Sequence, residues 1–238
     1  MFGGLGGLLP YVSLYYLDRG LDYREIGALL SANALVVLLA GPLWGSLSDA
    51  LRGSPRVLLA AGALAVAGVA ALALATSFTT ILLCNVAIGG GTAGILPILD
   101  ARALESSGEQ RAGWGRLRAW GSAGWVASSL LTGLAIEGWG HGSIFVIAAL
   151  GFATAATLAS GLVPVVHAPA ERPLRAALRL FATRSLGLFL IGALLANIAM
   201  AAALDFITPR FNELGASAIL VGIAWALPAA IEVPVMAG

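Results

Sequence analysis

Residues 57–99 read VLLAAGALAVAGVAALALATSFTTILLCNVAIGGGTAGILPIL, 43 consecutive positions between Arg56 and Asp100 without an Asp, Glu, Lys or Arg. About 20 apolar residues suffice to cross a hydrocarbon core of about 30 Å, so this stretch is long enough to cross twice. Thr76-Ser77-Phe78-Thr79-Thr80 supplies the polar break between the two crossings. Working outward, charge-free runs, Gly/Pro punctuation and polar breaks give eight spans: residues 1–17, 26–48, 57–75, 80–99, 117–136, 143–163, 185–204 and 216–238. The first run lacks a basic leader region and an Ala-x-Ala-like exit, so it is read as a spanning helix, short at its N-terminal end, rather than as a signal peptide. The expected fold class is an all-α membrane protein.

Composition agrees. The chain is 59% hydrophobic and 11% charged, where a soluble domain carries about 25% charged residues. One cysteine, Cys84, and two histidines, His141 and His167 in expected connections, leave no disulfide framework and no Cys/His zinc site. A net charge of +1 offers no basic face for nucleic acid. No His-Glu-x-x-His or Gly-x-Ser-x-Gly occurs, and Ser122 has no intramembrane histidine to activate it, so an enzyme lacks both nucleophile and base. The glycine-rich stretches Gly3-Gly4-Leu5-Gly6-Gly7 and Gly89-Gly90-Gly91-Thr92-Ala93-Gly94 lie inside apolar spans with no following lysine. They are expected to be helix-packing surfaces rather than phosphate cradles, and no cofactor is expected.

There is no lysine, so arginine sets the orientation. The second, fourth and sixth connections, with the first residues of the spans that follow, carry ten arginines: Arg52, Arg56, Arg102, Arg111, Arg116, Arg118, Arg172, Arg175, Arg179 and Arg184. The odd connections carry only Arg19, Arg24 and Arg210. By the positive-inside rule the even connections and the N-terminus are expected on the cytoplasmic side. The expected organisation is a six-helix bundle over residues 1–163, a basic cytoplasmic linker over 164–184, and the first two helices of a second bundle over 185–238. That layout belongs to transporters built from two six-helix halves, and the last span reaches Gly238 with no polar tail, so a truncated chain is expected.

Gly45-Ser46-Leu47-Ser48-Asp49-Ala50-Leu51-Arg52-Gly53-Ser54-Pro55-Arg56 resembles the major facilitator superfamily signature Gly-x-Leu-x-Asp-Arg-x-Gly-Arg-Arg, with Ala50 in place of the first Arg and the closing Gly and basic residues reduced to Gly53 and Arg56. The resemblance implies a gating motif of Gly45, Asp49, Arg52 and Arg56 that latches the two halves in the outward-facing state. On the residues alone, Asp49 can accept from backbone donors or pair with Arg52, and Gly45 lets another helix approach.

Gly115-Arg116-Leu117-Arg118-Ala119-Trp120-Gly121-Ser122-Ala123-Gly124-Trp125 resembles the start of helix five in the proton-coupled branch that contains lactose permease, the phenylpropionate permeases and nucleoside symporters. Asp100, 18 residues before Arg118, falls where that branch carries a helix-four carboxylate. The resemblance implies a major facilitator fold of twelve helices, of which eight are present. It also implies that Asp100 and Arg118 pair and bind substrate hydroxyls while Trp125 stacks on a ring. Independently, Arg118, Ser122 and Trp125 stand at i, i+4 and i+7, so one helix face offers a charge, a hydroxyl and an aromatic plate. The competing reading has Arg116 and Arg118 as snorkelling topology markers.

Glu232 is the remaining deep ionisable group. A charge near the bilayer centre costs about 2.5 to 3.5 kcal/mol on insertion scales, so protonation or pairing across a wet cleft is expected. Glu232, with Asp100, is the expected proton-coupling group. The expected function is proton-coupled symport of a sugar, nucleoside or aromatic acid by alternating access. A proton-driven exporter on the same fold and a transport-inactive scaffold or sensor are the alternatives. The expected partners are a small-molecule substrate, a proton and membrane lipid, with no nucleic acid, for a monomer in the bacterial inner membrane.

Overall fold

The computed structural model describes residues 1–106, 111–161 and 183–237, and all regular structure among them is α-helical. The helices are α1 (Phe2–Leu8), α2 (Val12–Asp18), α3 (Tyr23–Ala50), α4 (Pro55–Leu74), α5 (Phe78–Ser106), α6 (Arg111–Trp139), α7 (Gly142–Ser160), α8 (Arg184–Glu213) and α9 (Ala218–Ala237). The expected linker over 164–184 lies outside the described residues except for Thr183 and Arg184.

Six of these helices, α3, α4, α5, α7, α8 and α9, are long and apolar enough to cross a membrane. The first expected span differs: it is two seven-residue helices, α1 and α2, joined by Leu9, Pro10 and Tyr11. Pro10 has no N–H to donate, which interrupts the helical ladder. Continuous apolarity hid the interruption. The fifth expected span is α6, 29 residues long, which carries the arginine, serine and tryptophan side chains of the candidate site. The break between α4 and α5 falls at the expected polar turn, where Thr80 N donates to Ser77 Oγ (3.3 Å) and Ser77 N to Thr80 Oγ1 (3.1 Å).

Helices pack in the pairs α6 with α9, α4 with α5, α3 with α5, α4 with α7, and α1 with both α6 and α7. Small residues make these approaches close, because lipid offers no hydrophobic drive between helices and backbone contact must supply the attraction. A Cβ on Gly91 would lie 2.5 Å from Ala61 O and Ala65 N, so α4 and α5 touch backbone to backbone there. Gly94 seats the Trp44 ring, whose indole N–H donates to Gly90 O at 2.6 Å. The glycine-rich stretch of α5 is thus a packing surface, as is that of α1, where Gly6 abuts Trp125 and Ser128. Several polar groups between helices find partners there, as an apolar surrounding favours. Tyr16 Oη donates to Asn85 Oδ1 (2.9 Å) and Tyr15 Oη to Leu72 O (2.9 Å).

Candidate functional site

Two helix faces meet in antiparallel register to make the site. On α6 the face runs Arg118, Ser122, Trp125, Ser129, Gly133, Glu137; on α9 it runs Ala218, Gly222, Trp225, Ala229, Glu232, Met236. At one end Ile219 N donates to Glu137 Oε1 (3.3 Å), and a Cβ on Gly133 would lie 2.8 Å from Ala218 O. Next, Gly222 abuts Ser129 O and the Tyr11 hydroxyl. That hydroxyl donates to Ser129 O (2.6 Å), so the break in the first span delivers Tyr11 to this seam. Then Trp125 and Trp225 meet with ring centroids 6.2 Å apart, and Trp125 Nε1 donates to Trp225 O (3.2 Å) while Trp225 Nε1 donates to Thr208 Oγ1 of α8 (2.8 Å).

Beyond the tryptophans a cavity of about 550 Å³ lies along the seam, and past it the two helices touch again, where a Cβ on Gly115 would lie 2.8 Å from Met236 O. The cavity walls include Phe2, Arg118, Ser122, Trp125, Trp225 and Glu232. That volume suits a small organic molecule. Ser122 Oγ donates to Glu232 Oε2 at 2.8 Å, joining α6 to α9 across the cavity. The Arg118 guanidinium lies 4.1 Å above the Phe2 ring centroid, and its Nη1 is buried without a hydrogen-bond partner among the described residues. The cavity lining therefore includes a cationic side chain, a hydroxyl, a carboxylate and two indole plates. This set can bind a hydroxylated ring.

Arg118, Ser122, Trp125 and Glu232 line the same cavity. Asp100 does not. It is half-buried on α5, outside the cavity wall, and among the described residues it makes no ion pair with Arg118. The gating-motif residues sit at the turn from α3 to α4. Arg52 adopts a left-handed conformation (φ 51°), followed by Gly53 (φ 68°), and Ser54 caps α4. Asp49 and Arg52 are exposed and share only the backbone bond from Arg52 N to Asp49 O (3.0 Å); a Cβ on Gly45 would meet nothing within 4 Å.

Sequence reasoning missed Phe2, Trp225 and Thr208, and it left Asp205 in a connection. Asp205 is inside α8, half-buried, three residues before the buried Thr208. Asp205 therefore joins Glu232 as a carboxylate within a helix of membrane-crossing length. The length of α8, which continues through Pro209 to Glu213, was the available signal.

At the end remote from Arg52, Arg56 and Arg118 further contacts join α3 to α8. Tyr23 Oη donates to Glu213 Oε1 (2.5 Å), Arg210 pairs with Glu213 (2.6 Å), and the Tyr23 and Phe206 rings meet edge to face. His141 Nδ1 contacts Asp18 Oδ2 at that same end.

A bundle of membrane-length apolar helices, with a cavity against two antiparallel helices that Arg118, Ser122 and Glu232 help to line, defines a multi-pass integral membrane protein. The profile of the MFS_1 like family matches residues 1–238, and the chain belongs to that family. It is 30% identical over 238 residues to the maltose permease of Geobacillus stearothermophilus, covering 99% of this chain and 60% of the relative. It is 27% identical over 126 residues to the uncharacterized transporter YwbF of Bacillus subtilis (strain 168), covering 52% of this chain and 31% of the relative. Among solved structures, the nucleoside transporter NupG superposes with a TM-score of 0.76, and its D323A mutant with 0.78, at 16% and 17% identity. Each comparison covers 98% of this chain, and 61% of NupG or 62% of the mutant, which establishes the major facilitator fold. The chain spans about 60% of the length of the maltose permease it matches.

Proposed function

We propose that the protein is a secondary active carrier that couples proton movement to the passage of a small hydroxylated ring compound, a sugar or a nucleoside. The observation that carries this reading is the cavity between α6 and α9, where Arg118, Ser122, Trp125 and Glu232 converge. Arg118 supplies a planar donor fork, the indoles supply a stacking plate, and the Ser122–Glu232 bond supplies a hydroxyl–carboxylate pair that a substrate hydroxyl can enter. The names of the relatives, a maltose permease and a nucleoside transporter, support the same substrate chemistry.

Helices α1–α7 form the first half of the carrier, and α8 and α9 begin the second. Alternating access rocks these halves about the cavity. The arginine-rich end, with Arg52, Arg56 and Arg184, is cytoplasmic. The seams at the other end, Glu137 with Ile219, Ser129 with Gly222 and Tyr23 with Glu213, support a state closed to the outside. Glu232 holds a proton in one state and gives it up in the other, because a charged carboxylate is costly inside the membrane when the cleft is closed.

Uptake into proteoliposomes with an imposed pH gradient tests this, with a disaccharide and a nucleoside as probes. The wild-type protein is expected to accumulate one of them, and Glu232→Gln to retain equilibrative exchange but lose accumulation. Accumulation by Glu232→Gln at the wild-type level would refute the role of that residue.

A further inference from the structure

Arg118 is a half-buried cation. No carboxylate among the described residues pairs with it; its neighbour is the face of Phe2, with the guanidinium centre 4.1 Å from the ring centroid. A cation over an aromatic face within about 6 Å is held by the ring quadrupole, most strongly where water is excluded. The position of that ring is built in. Gly121, one turn after Arg118, leaves the space the ring fills: a Cβ there would lie 2.7 Å from Phe2 Cδ2. The backbone that carries Phe2 is fixed to α6 at Gly6, where a Cβ would lie 2.9 Å from Trp125 O. Phe2 also forms part of the cavity wall beside Arg118, Ser122 and Glu232.

We infer that Phe2 is a positioning residue for the site: its ring supports one face of the Arg118 guanidinium and supplies the negative potential that a carboxylate would otherwise provide, leaving the guanidinium N–H groups uncommitted to a carboxylate. The economy of this arrangement lies in the donors. A carboxylate partner would occupy two of the five guanidinium N–H groups, whereas a ring face occupies none. The inference rests on the proposed role of Arg118 in binding substrate, and it deepens that role by naming what orients the arginine and keeps its donors open.

The test is transport kinetics of Phe2 variants in proteoliposomes, with the solute that the wild-type protein transports. Phe2→Leu keeps an apolar side chain but removes the ring face; the half-saturation concentration is expected to rise about tenfold, the equivalent of a partly desolvated cation–π contact. Maximal rate is expected to stay within about twofold of wild type, and Phe2→Tyr to restore affinity. A near-isosteric series with mono-, di- and trifluorophenylalanine at position 2 withdraws charge from the ring without changing the packing. Affinity is expected to fall stepwise along that series. If fluorination leaves affinity unchanged while Arg118→Lys lowers it, the inference about Phe2 is overturned and the binding role of Arg118 stands. If neither change alters affinity, the proposed role of Arg118 fails as well.

Discussion

Substituting Gly222 by Ala places one methyl group into the tightest part of the seam between α6 and α9. The new Cβ would sit 2.5 Å from Tyr11 Oη and 2.9 Å from Ser129 O, while ordinary contact begins near 3.4 Å. The Ser129 carbonyl must therefore recede by about 0.5 Å and the hydroxyl by about 0.9 Å. The carbonyl belongs to the α6 backbone, so it can move only with the helix. Overpacking of this kind costs about 1–3 kcal/mol. Displacing the Tyr11 hydroxyl from Ser129 O, a buried bond of 2.6 Å, adds about 1 kcal/mol. The total, about 2–4 kcal/mol, falls on the conformation in which this end of the bundle is closed, and not on one in which α6 and α9 have parted there. A two-state equilibrium should shift by about 30- to 1,000-fold toward the opened form. Spin labels at Arg24→Cys and Leu214→Cys, in a Cys84→Ala background, report the separation of α3 and α8 at the same end. Gly222→Ala is expected to move the distance distribution to longer values. An unchanged distribution together with unchanged thermal stability would show that the seam does not bear on the conformational equilibrium.

Two further outcomes follow from the geometry. Arg118→Lys keeps the charge but loses the planar fork and the flat contact with Phe2, so equilibrium binding of the transported solute should weaken at least about tenfold; undiminished affinity would leave Arg118 as a surface marker. Gly91→Ala drives a Cβ to within 2.5 Å of two backbone atoms of α4 and should destabilise the protein by about 1–3 kcal/mol, read as a lower melting temperature in detergent, with no change in melting refuting the backbone contact.

How far the sequence could be read depended on whether the signal was local. The charge-free run 57–99 specified two helices and the turn between them, because charge spacing is a one-dimensional property. The face of Arg118, Ser122 and Trp125 was legible from helical periodicity, and Glu232 from its isolation in an apolar run. Pro10 was visible too, but uninterrupted hydrophobicity made one helix of what are two, and so hid why Tyr11 reaches the seam. Trp225 and Phe2 read as ordinary apolar residues, since their roles arise only from α6 lying against α9 and α1. The pairing of Asp100 with Arg118 was implied by resemblance and is absent among the described residues; Arg118 faces a ring instead. Asp205 was lost by ending a helix at the first charge, although α8 carries that charge inside the bundle and runs on to Glu213.

The central claim is that the cavity between α6 and α9 binds the transported solute and communicates with the arginine-rich side. A single cysteine at Ala229, on the cavity wall, in a Cys84→Ala background tests it through labelling by a membrane-impermeant maleimide from each face of oriented vesicles. Labelling from the cytoplasmic side that slows when transported solute is present is the predicted result. Labelling only from the opposite side, or at a rate that solute leaves unchanged, would contradict it.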